Sequence, residues 1–202
     1  MGFSTNTIGL SILVLSLTLP FSFNADSFAA MMRGTPGDDD NLDGTEKDDA
    51  IYGLAGNDEI VGFDGNDAIF AGAGSDIVYG QDGNDHIEGN KGADVLHGED
   101  FCNSNPESDD DEKDVIKGNQ GDDVVMGESG DDTIYGNSGN DRLYGDCFNG
   151  STSADGKDKL YGGNGDDTLT GGGGADHFDC GPGIDTITDY TPGEDSKTSN
   201  CE

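Results

Sequence analysis

The sequence has no Trp, only 5 Pro in 202 residues, and only 9 Lys and Arg against 43 Asp and Glu. Each shortage removes a class of protein. A formal net charge of -34 excludes a nucleic-acid binder, because a phosphate backbone selects clustered cations, and it directs the chain towards cationic partners. Long helices are disfavoured too, since the acids divide into 34 Asp and 9 Glu, and Asp is a turn former rather than a helix former. A hydrophobic fraction of 31% is low for an ordinary globular enzyme. Gly is abundant instead, at 35 residues against a usual share of ~7%. Such a chain is either a disordered acidic polymer or a fold that bound cations complete. Periodicity separates the two.

The amino-terminal residues differ from the rest. An apolar run from Ile8 to Phe21 is short for a membrane span of ~20 residues, and Ser27-Phe28-Ala29-Ala30 after it has the small-x-small pattern of a cleavage site. We read residues 1–29 as a secretory signal peptide, although no Lys or Arg precedes the run, and 30–33 as a short segment leading into the mature chain. The expected location is therefore secreted or extracellular. All four Cys follow that segment, and an oxidising compartment favours disulfides over thiol chemistry.

From Gly44 the chain divides into lines of nine residues, as in Gly53-Leu54-Ala55-Gly56-Asn57-Asp58-Glu59-Ile60-Val61 followed by Gly62-Phe63-Asp64-Gly65-Asn66-Asp67-Ala68-Ile69-Phe70. Position six is Asp in all fourteen lines: Asp49, Asp58, Asp67, Asp76, Asp85, Asp94, Asp114, Asp123, Asp132, Asp141, Asp158, Asp167, Asp176 and Asp185. Position eight is apolar throughout, from Ile51 to Ile187, and position four is Gly except at Lys47 and Glu112. An imperfect further line opens at Gly34 and carries Asp39 at position six. The pattern Gly-Gly-x-Gly-x-Asp-x-apolar-x resembles the RTX, or haemolysin-type, calcium-binding repeat. That resemblance implies a right-handed parallel β-roll over 34–188, with six residues of each line in a turn, three in a strand, and two lines per coil.

The residues support the same architecture. In a strand of type x-apolar-x the middle side chain faces one way, so position eight forms an inward column. One inward residue in nine makes a thin core. If two lines form a coil, Asp residues eighteen apart stack on one edge at the ~4.8 Å strand spacing, where each carboxylate pair repels by about 1 kcal/mol in water and about 3.5 at an effective dielectric of 20. A calcium ion with Ca–O bonds of ~2.4 Å suits that gap, with turn carbonyls as further ligands. The fifteen position-six Asp residues, Asp39 included, are thus the expected ligands of calcium, and counting gaps gives roughly nine to thirteen ions. Folding is expected to depend on them.

Two lines are stretched. The line from Gly98 gains eleven residues, near 99–109, and the line from Gly145 gains eight, near 146–153, with Cys102 in the first addition and Cys147 in the second. Both lie on one edge, so long loops could join Cys102 to Cys147, leaving Cys180 to tie to Cys201 in a tail spanning 189–202. Four Cys permit three pairings, and the sequence leaves them open.

Rival motifs are weaker. Asp39-x-Asn41-x-Asp43-Gly44 begins like an EF-hand loop, but Ala50 stands where the closing Glu belongs. His86, His97 and His177 form no zinc pair and are expected on the surface. Tyr52, Phe70, Tyr79, Tyr135, Tyr144 and Tyr161 share position nine and are predicted to face outwards. Asn149-Gly150-Ser151 is a glycosylation sequon. No nucleophile and base pattern is present, so no enzyme is expected. The sequence predicts an all-β, monomeric, calcium-binding β-roll with a structural role outside the cell. The alternative is a calcium-dependent adhesin or matrix protein that contacts cell-surface polysaccharide or protein.

Overall fold

The computed structural model describes residues 30–99, 113–147 and 156–201, and their regular structure is entirely strand. In chain order the strands are β1 (Met31–Arg33), β2 (Leu42–Asp43), β3 (Ala50–Ala55), β4 (Glu59–Val61), β5 (Ala68–Ala73), β6 (Ile77–Tyr79), β7 (His86–Lys91), β8 (Val95–His97), β9 (Val115–Gln120), β10 (Val124–Glu128), β11 (Thr133–Ser138), β12 (Arg142–Asp146), β13 (Lys159–Asn164), β14 (Thr168–Thr170), β15 (His177–Asp179), β16 (Thr186–Ile187) and β17 (Ser196–Lys197). Odd-numbered strands form a nine-stranded sheet and even-numbered strands an eight-stranded one. The chain changes sheet at every step and pairs in parallel with the strand two before it, as β5 does with β3 and β6 with β4. This is a parallel β-roll with two lines per coil. Among the described residues no helix is long and apolar enough to cross a membrane.

Position eight builds the core. In one sheet Ile51, Ile69, Ile87, Ile116, Ile134, Leu160 and Phe178 lie in register. Ile60, Val78, Leu96, Val125, Leu143 and Leu169 form the facing column, and all thirteen side chains are fully buried. Register also survives the insertions: Ile87 pairs with Ile116 and Ile134 with Leu160. The added residues therefore leave the stack intact.

Three features differ from the sequence reading. The sheets extend past 34–188 at both ends, because β1 pairs with β3 and β17 with β15. Tyr190 packs edge-on against Phe178, centroids 6.4 Å apart, so the residues after 188 close the end of the core. Strands β3, β5, β7, β9, β11 and β13 are six residues long rather than three. In these strands the register skips position one and resumes at positions two and three, while position two takes a left-handed backbone, as at Leu54 (φ 88°), Asn90 (78°), Asn119 (81°) and Asn137 (76°).

Candidate metal centre

Each turn delivers its position-six Asp to one of two edges. Asp49, Asp67, Asp85, Asp114, Asp132, Asp158 and Asp176 stack on one edge, and Asp39, Asp58, Asp76, Asp94, Asp123, Asp141, Asp167 and Asp185 on the other. All are buried except Asp39, which is half-exposed. Along each stack the backbone N–H of one Asp donates to Oδ1 of the next, at 2.7 to 3.0 Å. The result is two continuous ladders. Asp195, which the sequence reading left in the tail, extends the first ladder by accepting from Asp176 N–H at 3.0 Å.

The second carboxylate oxygen behaves differently. Oδ2 is buried with no hydrogen-bond partner in Asp58, Asp67, Asp76, Asp94, Asp123, Asp132, Asp141, Asp158, Asp167 and Asp185. An unsatisfied buried acceptor costs about 1–3 kcal/mol, and more when charged, so ten in one small protein require a partner that is not a protein donor. Position one shows where that oxygen lies. A Cβ built on Gly62 would sit 2.3 Å from Asp67 Oδ2 and 2.5 Å from the Gly80 carbonyl oxygen; on Gly136 it would sit 2.3 Å from Asp141 Oδ2 and 2.6 Å from the Gly162 oxygen. Carboxylate and carbonyl oxygens of successive coils thus converge beside a position that is Gly in most lines, with Ala71 and Cys180 the interior exceptions.

Burial gives these carboxylates a strong preference for the neutral form. It raises Asp94 and Asp123 to about 6, Asp67, Asp141 and Asp176 to about 7, and Asp158 to about 8, with repulsion from neighbouring acids adding to it. Asp132 is raised well above its ordinary value by burial, then by Asp114. The ion pairs Lys113–Asp131, Lys117–Glu88 and His86–Glu88 lie off the ladders. The converging atoms are all oxygens, a donor set suited to a hard cation such as calcium. Among the described residues no three His, Cys, Asp or Glu side chains gather at one point, and the converging backbone carbonyls supply further oxygens of the kind calcium takes.

Two side-chain positions escaped the sequence reading. Position five forms a second ladder running the other way: the N–H groups of Asn57, Asn66, Ser75, Asn84, Asn140, Asp166 and Ile184 donate to Oδ1 of Asp38, Asp48, Asn57, Asn66, Asp122, Asn140 and Asp166. Recurrent Asn and Asp at that position was the available signal. Position two carries Glu99, Glu128 and Asp146 on the edge with the insertions. Glu128 and Asp146 are buried and in register, and Asp146 accepts from Gly156 and Gly173 N–H groups. His97, predicted at the surface, is buried, because its Nδ1 lies 2.8 Å from Glu128 Oε1 and its ring stacks on Tyr79. The aromatics of position nine are half-buried rather than free. Tyr52 stacks on Phe70 and Tyr135 on Tyr161, centroids 5.2 and 4.7 Å apart, so their faces cover one another.

Cys180 and Cys201 are disulfide-bonded, with Cα atoms 5.2 Å apart. Cys147 is also in a disulfide; its expected partner Cys102, the signal peptide and the Asn149 sequon lie outside the described residues. The family model of the RTX calcium-binding nonapeptide repeat, four copies long, matches residues 33–69, 43–78, 61–96, 110–146 and 152–187. The chain belongs to that family. Among curated proteins none matches it. RTX repeats bind calcium, and the buried aspartate ladders fit that partner.

Proposed function

We propose that the two ladders hold calcium between successive coils, and that the ions complete the fold of a secreted protein with a structural role outside the cell. The row of ten buried Oδ2 atoms with no hydrogen-bond donor carries this reading. Those ten Asp residues, with Asp85, Asp114 and Asp176 in the same register, are the proposed carboxylate ligands, for roughly nine to thirteen ions including turn carbonyls. Calcium supplies the positive charge that lets the buried carboxylates remain ionised. The protein itself contributes the spacing, the mostly glycine position one, and the N–H groups that fix each Oδ1. Secretion draws support from the apolar run and the small residues after it. The adhesin reading draws less, because the paired rings that would present a binding stripe are turned against each other.

Far-ultraviolet circular dichroism with calcium and after chelation tests the proposal. Strand signal should appear with calcium at sites of order 10⁻⁴–10⁻³ M and collapse on chelation. A spectrum indifferent to chelator at neutral pH refutes it.

A further inference from the structure

Three turns depart from the ladder rule, and they occupy the ends of the roll. Thr35 N–H donates to Asp39 Oδ2 at 2.6 Å, Thr45 N–H to Asp49 Oδ2 at 2.6 Å, and Thr191 N–H to Asp195 Oδ2 at 2.7 Å. In each, the oxygen that stands without a donor in the interior is satisfied within its own turn. The Thr45 hydroxyl adds a second bond to the same oxygen at 2.8 Å. At Gly44 the three atoms nearest a built Cβ all belong to Gly62, and Asp49 Oδ2 is not among them, unlike Asp67 Oδ2 at Gly62. The Asp49 carboxylate has moved off the convergence point, whereas at Gly34 Asp39 Oδ2 still lies 2.5 Å from a built Cβ with the Gly53 carbonyl oxygen at 2.7 Å, as in the interior.

The cause is in the sequence. In all three turns Thr occupies position two, and in no other line does it do so. Of the interior position-two residues, Leu54, Phe63, Gln81, Asn90, Asn119, Glu128 and Asn137, and Gly72, Gly163, Gly172 and Gly181, have φ between 72° and 125°; Glu99 and Asp146, in the two stretched lines, do not. A β-branched residue resists that left-handed conformation. Thr35, Thr45 and Thr191 are not among the positive-φ residues, and their N–H groups point at the carboxylate.

We infer that Thr at position two withdraws a turn of this roll from calcium binding, and that the Thr turns of Asp49 and Asp195 are metal-free caps. This rests on calcium binding at the interior ladder and narrows it. Asp49 then leaves the set of ligands expected from the repeat alone, and Asp195 does not join it. Their ladder carries an end turn at each terminus that closes by its own hydrogen bonds, and its ion loading is confined to the coils between them.

Counting bound calcium by native mass spectrometry on the mature full chain tests the inference. Asp49→Asn and Asp195→Asn should keep the wild-type count, whereas Asp141→Asn should lose at least one ion. Asn137→Thr, which places a β-branched residue before Asp141, should likewise lose at least one, and Thr45→Asn should gain one. Equal losses in Asp49→Asn and Asp141→Asn overturn the inference while leaving the calcium reading intact. A wild-type chain that binds none overturns the calcium reading itself. Should a variant not fold, nuclear magnetic resonance of the loaded wild-type protein decides: a scalar coupling across the hydrogen bond from Thr45 N to Asp49 Cγ is expected, and its absence refutes the assignment.

Discussion

The two edges of the roll carry the same aspartate ladder with the same hydrogen bonds, yet differ in charge near its middle. On the uninterrupted edge position two holds Asn90, Asn119 and Asn137 in succession; on the edge with the insertions it holds Glu99, Glu128 and Asp146. Asp94 and Asp123 on the first rise to about 6. Asp158 on the second rises to about 8 and Asp132 well above its ordinary value, chiefly through deeper burial, with Asp146 adding to the first and Glu99 to the second. The contrast narrows at Asp141, in the turn of Asn137, which reaches about 7 as Asp67 does on the other edge. The repeat thus sets the geometry of the ladder, while position two and the cover over each turn set how strongly it demands countercharge.

Acid offers the largest test. Carboxylates whose folded-state value exceeds the unfolded one bind more protons in the folded state, so stability is fully present below the unfolded value of 3.8 and is lost as pH rises through 6 to 8. Protein stripped of calcium by ion exchange should therefore lack strand signal at pH 8 and regain it on acidification towards pH 4.5. Each pKa unit is worth about 1.4 kcal/mol per group, so several groups together outweigh any single substitution. Carbon-13 shifts of the carboxylates should show Asp158 taking up its proton at higher pH than Asp94 and Asp123. Simultaneous titration of the three would erase the difference between the edges, and a flat dichroism profile would remove the carboxylates as the source of instability.

Truncating the core comes next in size. Leu143 and Leu160 are both fully buried, one in each sheet, so Leu143→Ala and Leu160→Ala should each cost roughly 2–5 kcal/mol in calcium-loaded protein by thermal or denaturant unfolding. Similar costs are expected because both columns fill one shared layer. A several-fold disparity would mean that the sheets unfold separately.

Much of this was legible in the residues, because the repeat is written in side chains wherever chemistry leaves one choice. Position six needs a short carboxylate and position eight an apolar residue, so ladder and core could be read without coordinates. At position two most turns share a backbone angle, reached by Leu54, Phe63, Gln81 and Glu128 as well as by Gly, and no residue type announces it. The final turn was hidden for a related reason. The line from Tyr190 keeps Gly193 and Asp195 but places Lys197 at position eight, so the periodic signal fades although β17 still pairs with β15. His97 was misread because its burial depends on Glu128, a residue of another coil.

The smallest expected effect isolates position two. Glu128 is 2% exposed, its Oε1 faces His97, and its Oε2 is buried with no hydrogen-bond partner. Glu128→Gln keeps the shape and an oxygen for His97 but removes the charge, so loss of strand signal in the calcium-free protein should move to a higher pH midpoint. The reciprocal change belongs on the other edge. Asn119→Asp places an acid in the turn of Asp123, which should titrate above about 6 and approach the behaviour of the insertion edge. If Glu128→Gln leaves the midpoint unchanged while Asn119→Asp raises Asp123 no further, burial alone separates the edges and position two governs only the backbone.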